Sequence, residues 1–149
     1  MRKKGIESRS LRLEPHYLVS VQAPAADVPR IVETVTSLTP LAIGSYDSNV
    51  FQSADGIERY RPRHGAAAGA ETDIRIRPGI VELSFQLPGD PDLLKQIAEA
   101  VYGVHSYQEP VIVVSEVLAS RTKGLDDRTN PHRWRNTTGD WKKSDEQNV

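Results

Sequence analysis

Two helix-period segments, one strand of clean alternation and the order β-α-β-β-α-β predict an α+β domain, a ferredoxin-like split βαβ sandwich with two helices on one face of an antiparallel sheet. Tyr17 to Gln22 is β-rich, sets Tyr17, Val19 and Val21 against Ser20 and Gln22, and stops at Pro24. Val28, Ile31, Val32, Val35 and Leu38 then recur at helical spacing, with Asp27 as the expected N-cap, Pro29 in the first turn and an end near Thr39-Pro40. Leu41 to Phe51 reads as a second strand, Ala54-Asp55-Gly56 as a hairpin turn and Ile57 to Pro62 as the return.

Arg63 to Ala70 has no period and little bulk, so a mobile loop is expected there. Thr72 to Arg77 alternates weakly, whereas Val81, Leu83, Phe85 and Leu87 alternate cleanly with Glu82, Ser84 and Gln86. Asp90 is the expected N-cap of a second helix with Pro91 at its first position, Leu93, Leu94, Ile97, Ala98 and Val101 on its apolar face, and Gly103 as a left-handed C-terminal cap. Val111 to Val114, running on to Val117, is the last strand and is apolar on both faces.

The 149 residues amount to one domain, and nine aromatics leave a core that is small or shared between copies. There is no cysteine, which excludes disulfides, a thiolate nucleophile and thiolate metal sites. The net charge of −1 gives no electrostatic case for nucleic acid. Its distribution is uneven: residues 1–16 hold five basic and two acidic groups, residues 118–149 hold seven and five, and the middle is acidic. No apolar run follows Met1-Arg2-Lys3-Lys4, and none approaches the length of a membrane span, so a cytoplasmic protein without a membrane is expected. The expected organisation is a basic N-terminal extension (1–16), one domain (17–119) and a polar C-terminal tail (120–149), neither end showing core periodicity.

Three local patterns occur in order: Gly44-x-Tyr46-Asp47-x-x-x-Phe51, Arg61-Pro62-x-x-Gly65-Ala66, and His105-x-Tyr107-x-Glu109-Pro110. Their combination resembles the CutA-like or PII-like insert domain of YqfO-type proteins, of the NIF-type dinuclear-metal family, over roughly residues 17–117. The family's last motif reads His-Pro-Tyr-Glu-Glu-Pro; here Ser106 and Gln108 replace its Pro and first Glu. The resemblance implies a CutA/PII-like fold that commonly assembles as trimers, and links to divalent-metal tolerance or small-molecule sensing as analogies of fold. The halves that carry the dinuclear metal site are not represented in these residues, so their hydrolase chemistry is not carried over.

In an extended strand His105, Tyr107 and Glu109 point to one side. Two readings stand: a hydrogen-bonded polar cluster that fixes the loop before the last strand, or a divalent-metal site in which His105 and Glu109 are joined by His64, Asp47 or symmetry mates. Tyr46 and Asp47 line a ligand pocket or merely follow a bulge at Gly44. Gly65 and Gly69, flanked by Arg61, Arg63 and His64, cradle an anion or form a plain flexible loop. No serine sits in a nucleophile elbow. Asn130 to Arg135 places Trp134 between arginines, which suits stacking, a disordered tail, or packing of Trp134 or Trp141 on a neighbouring subunit.

The expectation is therefore a non-catalytic homo-oligomer, a trimer first, with a small-ligand or divalent-metal site near subunit boundaries. Ligand contacts are expected from Tyr46, Asp47, Arg61, His64, Gly65 and Tyr107, and metal contacts from His105 and Glu109. The rivals are a small metal-dependent hydrolase using His105 and Glu109, and an interaction module that binds a separate protein partner through its basic tails.

Overall fold

The computed structural model describes residues 4–125 and 128–137. The chain runs β1 (Ile6–Glu7), β2 (Leu11–Pro24), a 3-10 turn (Ala25–Asp27), α1 (Val28–Leu38), β3 (Phe51–Gln52), β4 (Gly56–Tyr60), β5 (Arg75–Pro88), α2 (Pro91–Val104), β6 (Val111–Thr122) and a 3-10 turn (Trp134–Asn136). β2 is central, paired antiparallel with β5 on one side and β6 on the other, while β3 and β4 both pair with β5 at the edge. This is the expected ferredoxin-like antiparallel sheet with two helices.

Alternation along β2 and β5 makes the core. Tyr17, Val19, Val21 and Ala23 stand across from Leu87, Phe85, Leu83 and Val81, and the cluster closes over them with Ile31 and Val35 of α1 and Ile97 and Val101 of α2. The residues between them face the other way. His16, Leu18, Ser20 and Gln22 register with Pro88, Gln86, Ser84 and Glu82 on one side and with Val117, Ser115, Val113 and Val111 on the other. No helix among the described residues covers this second face. Val113 is 54% exposed and Phe51, paired with Ser84, is 71% exposed.

The sheet is longer than the sequence suggests. β2 begins at Leu11 rather than Tyr17, and β6 runs to Thr122, because Leu11 pairs with Thr122, Arg12 with Arg121 and Glu14 with the buried Ala119. β1 adds to β2 at Ile6 and Leu13. The inner parts of both ends are thus held by backbone hydrogen bonds, which need no apolar period. Trp134 is exposed, and Trp141 lies outside the described residues.

The expected strand Leu41–Phe51 is instead a loop as far as Val50. Leu41, Gly44 and Ser48 take positive φ, and the Asn49 side-chain amide donates to the carbonyls of Leu41 and Tyr46, closing the loop on itself. Ala54-Asp55-Gly56 is not a hairpin turn, since the segments on either side pair with the same strand. Of the expected strand Thr72–Arg77 only Arg75–Arg77 is extended, and it runs on into the alternating strand as β5, the two parts joined by an irregularity in which three steps from Ile80 to Arg77 face two from Gly56 to Glu58. Gly79 sits there at φ 73° with open space around it. Gly79→Ala is expected to lower stability by about 1 kcal/mol through backbone strain alone, measured by urea denaturation.

Both helix ends depart from expectation in ways that shape the site. Asp27 makes no side-chain cap bond to α1, whereas Asp90 caps α2 by accepting from Asp92 and Leu93 amides. α2 continues through Gly103 without a left-handed cap and ends with extended His105, whose amide donates to the Val101 carbonyl.

Candidate functional site

Beyond Ile80, β5 leaves β2 and forms with β4 a two-stranded ribbon. On one side of this ribbon Glu58 stands opposite Arg77, and Tyr60 opposite Arg75. The segment from His105 to Pro110 comes across from α2 and lays Tyr107 against that side. Between them opens a cleft of about 470 Å³, lined by Glu58, Tyr60, Arg77, Tyr107, the Ala66–Ala68 stretch and, at the sheet end, Gln22 and Val111. Gln22 and Val111 are register partners on the uncovered face, so the cleft opens on that face.

The polar centre of the cleft is assembled in advance. The Tyr107 hydroxyl donates to Glu58 Oε1 at 2.6 Å, and Arg77 Nη1 lies 4.0 Å from the same oxygen. The Arg77 guanidinium also donates to the Tyr60 hydroxyl and lies 5.0 Å from the ring centres of both Tyr60 and Tyr107. Burial, and then the Glu58 carboxylate, push the Tyr107 hydroxyl up to about 12, so it is a donor at neutral pH. Nearby, Arg75 forms a two-pronged pair with Glu71, which holds that carboxyl below its usual range.

Beneath Tyr107 lies a second polar group. The His105 side chain is fully buried; its Nε2 donates to the Gln22 carbonyl at 2.7 Å, and its Nδ1 accepts from the Tyr107 amide at 3.0 Å. Asp27 Oδ2 accepts from both the Ser106 amide at 2.9 Å and the Ser106 hydroxyl at 2.6 Å, while Oδ1 meets Arg30 Nη2 at 2.9 Å. Arg30 Nε in turn donates to the Val104 carbonyl at 2.7 Å. Burial raises the Asp27 carboxyl, but the Ser106 bonds and Arg30 outweigh it and hold the group below its ordinary value. The start of α1, the end of α2 and the last residues of β2 are thereby tied at one point.

The sequence-predicted residues divide accordingly. Tyr107 and Glu109 line the cleft, and Gly65 touches its wall through the Gln108 side chain. Arg61 and His64 are exposed on the loop and do not line it. Tyr46, 75% exposed, and Asp47, which accepts from Ser48, sit on the separate Asn49-closed loop. The pairing of His105 with Glu109 does not form: residues 106–109 bend rather than extend, Glu109 is exposed and His105 buried. Both His105 nitrogens already have partners, and among the described residues no three His, Asp or Glu side chains gather as a metal cluster. Glu58, Tyr60 and Arg77 escaped the motif reading. Their signal was the alternation Ile57-Glu58-Arg59-Tyr60 facing Arg75-Ile76-Arg77, two short polar faces on neighbouring strands.

No family model and no curated protein matches the chain. Among solved structures it is similar to a Bacillus cereus protein related to NIF3, with a TM-score of 0.58 and 18% identity over 76% of this chain and 29% of that one. It is also similar to CutA1 of the psychrotrophic bacterium Shewanella sp. SIB1, with a TM-score of 0.53 and 15% identity over 70% of this chain and 82% of that one. The divalent ion tolerance protein CutA1 of Ehrlichia chaffeensis matches with a TM-score of 0.51 and 15% identity over 70% and 81% of the two chains. At these identities the likeness shows a shared CutA-like fold, and the chain spans under a third of the NIF3-related protein. No helix among the described residues is long and apolar enough to cross a membrane.

Proposed function

We propose that this chain is a non-catalytic, CutA/PII-like binding protein that works as a homo-oligomer, a trimer on the resemblance, and takes a small ligand into the cleft framed by Glu58, Tyr60, Arg77 and Tyr107. One observation carries the reading: a cleft with a pre-assembled polar centre opens on the sheet face that the described residues leave bare. A second copy laid on that face supplies the cover for Phe51 and Val113 and the missing wall of the cleft. The match to part of a NIF3-related protein supports the YqfO-type insert resemblance.

Arg59, Arg75 and Arg77 line the cleft against Glu58 and Glu109, and Ala66–Ala68 and the tyrosine rings give it apolar walls. That lining suits an organic anion with a flat or apolar body. Glu58 is already engaged by a hydroxyl held in its protonated form, an arrangement suited to fixing a ligand rather than exchanging protons with one. A metal at His105 would have to displace the Gln22 carbonyl or the Tyr107 amide, so the ring offers it no support.

Thermal melts in citrate, phosphate and zinc test this. Citrate or phosphate should raise the melting temperature of the wild type, at 100 times the dissociation constant by the equivalent of about 2.7 kcal/mol. Arg77→Met should lose that response. No response to either anion, or a zinc response lost in His105→Gln, contradicts the proposal.

A further inference from the structure

The loop between β4 and β5 is folded on itself, with the Ala66 amide donating to Arg63, the Gly69 amide to Ala66 and the Glu71 amide to Pro62. Gly65 and Gly69 supply the positive φ its turns require. Among the described residues, the side-chain hydrogen bonds that tie the backbone of this loop to a distant part of the chain both come from Gln108. Its Oε1 accepts from the Ala67 amide at 2.8 Å, and its Nε2 donates to the Gly65 carbonyl at 3.2 Å. Gln108 and Ala66–Ala68 both line the cleft, so these two bonds join two segments of its wall that are far apart in the chain.

We infer that Gln108 is a latch, a positioning residue that holds the Gly65–Ala67 turn over the cleft and whose release widens the way to Glu58 and Arg77. The chemistry is specific to an amide. One acceptor and one donor are needed side by side, and an ionised Glu has only acceptors, one of which would face the Gly65 carbonyl. Both bonds are exposed to water, so the latch is weak enough to open on its own. The latch rests on these two bonds; its control of ligand entry rests on the cleft being the binding site.

Amide hydrogen exchange on the ligand-free full chain separates the two. In Gln108→Ala the Ala67 amide should exchange about tenfold faster than in the wild type, while the Leu83 amide in the core keeps its protection. Gln108→Glu at pH 7 keeps an acceptor for the Ala67 amide but turns its other oxygen on the Gly65 carbonyl, and its Ala67 amide should exchange at a rate between those of the wild type and the alanine variant. It should recover protection at pH 4, where more than half of an ordinary Glu, with a value of about 4.3, is protonated and can donate again. That recovery within one variant is a readout that a general loss of packing does not produce. Equal Ala67 protection in wild type and Gln108→Ala, or no pH recovery in Gln108→Glu, overturns the latch whatever the anion melts show.

Discussion

Asp27→Ala is expected to destabilise the fold by about 2–4 kcal/mol, although it removes one small side chain at the start of a helix. The carboxylate is 5% exposed at the residue level and accepts from the Ser106 amide, the Ser106 hydroxyl and Arg30. Truncation takes away the acceptor of two Ser106 donors and frees Arg30, which also holds the Val104 carbonyl. The cost stays below that of breaking a sealed ion pair because Arg30 is half exposed and finds water. A cap lost from a surface helix would cost about 1 kcal/mol, so a chemical-denaturation measurement distinguishes the two roles.

The same carboxylate gives the fold an acid limit. Its folded-state value is held below the ordinary one, so the stability it contributes is complete above the unfolded value of about 3.9 and is lost as pH falls through the lower folded value. Denaturation curves at pH 7 and pH 3 should show a drop in the wild type that is smaller in Asp27→Asn.

His105→Ala is expected to cost a similar amount, about 2–4 kcal/mol. The ring is fully buried, and its removal leaves a void, an unpaired Gln22 carbonyl and an unpaired Tyr107 amide. His105→Gln, which can donate to the first and accept from the second, should recover part of the loss. A site residue kept for metal would behave in the opposite way, losing zinc affinity with an unchanged melting temperature. Calorimetry of both variants with and without zinc decides between them.

Sequence periodicity made the helices and the β5 core legible, because Ile31, Val35, Ile97, Val101 and the Val81–Leu87 alternation report directly which side is buried. It failed between Leu41 and Val50, where β-branched and aromatic residues suggested a strand but Asn49 bonds two local carbonyls and outcompetes pairing. It failed again at the sheet ends, where residues such as Arg12 and Arg121 pair in the ladder without an apolar period.

At the cleft, the last motif names a segment that lines it, but in another geometry than the extended one. His105, Tyr107 and Glu109 share a face only if the backbone is extended, and here it bends so that His105 goes inward and Tyr107 into the cleft. The two departures from the resembling motif are explained by long-range partners. Ser106 supplies an amide that proline lacks, which Asp27 accepts, and Gln108 supplies the donor that glutamate lacks. No local pattern in the sequence announces partners more than forty residues away.

We propose that the bare sheet face is a contact between copies and that this contact completes the cleft. Multi-angle light scattering at micromolar concentration tests it most directly, comparing the wild type with Val113→Glu, which puts a charge at the middle of that face. Three chain masses are expected for the wild type and a shift toward one for the variant. A wild-type protein of one chain mass with a cooperative thermal transition would contradict it.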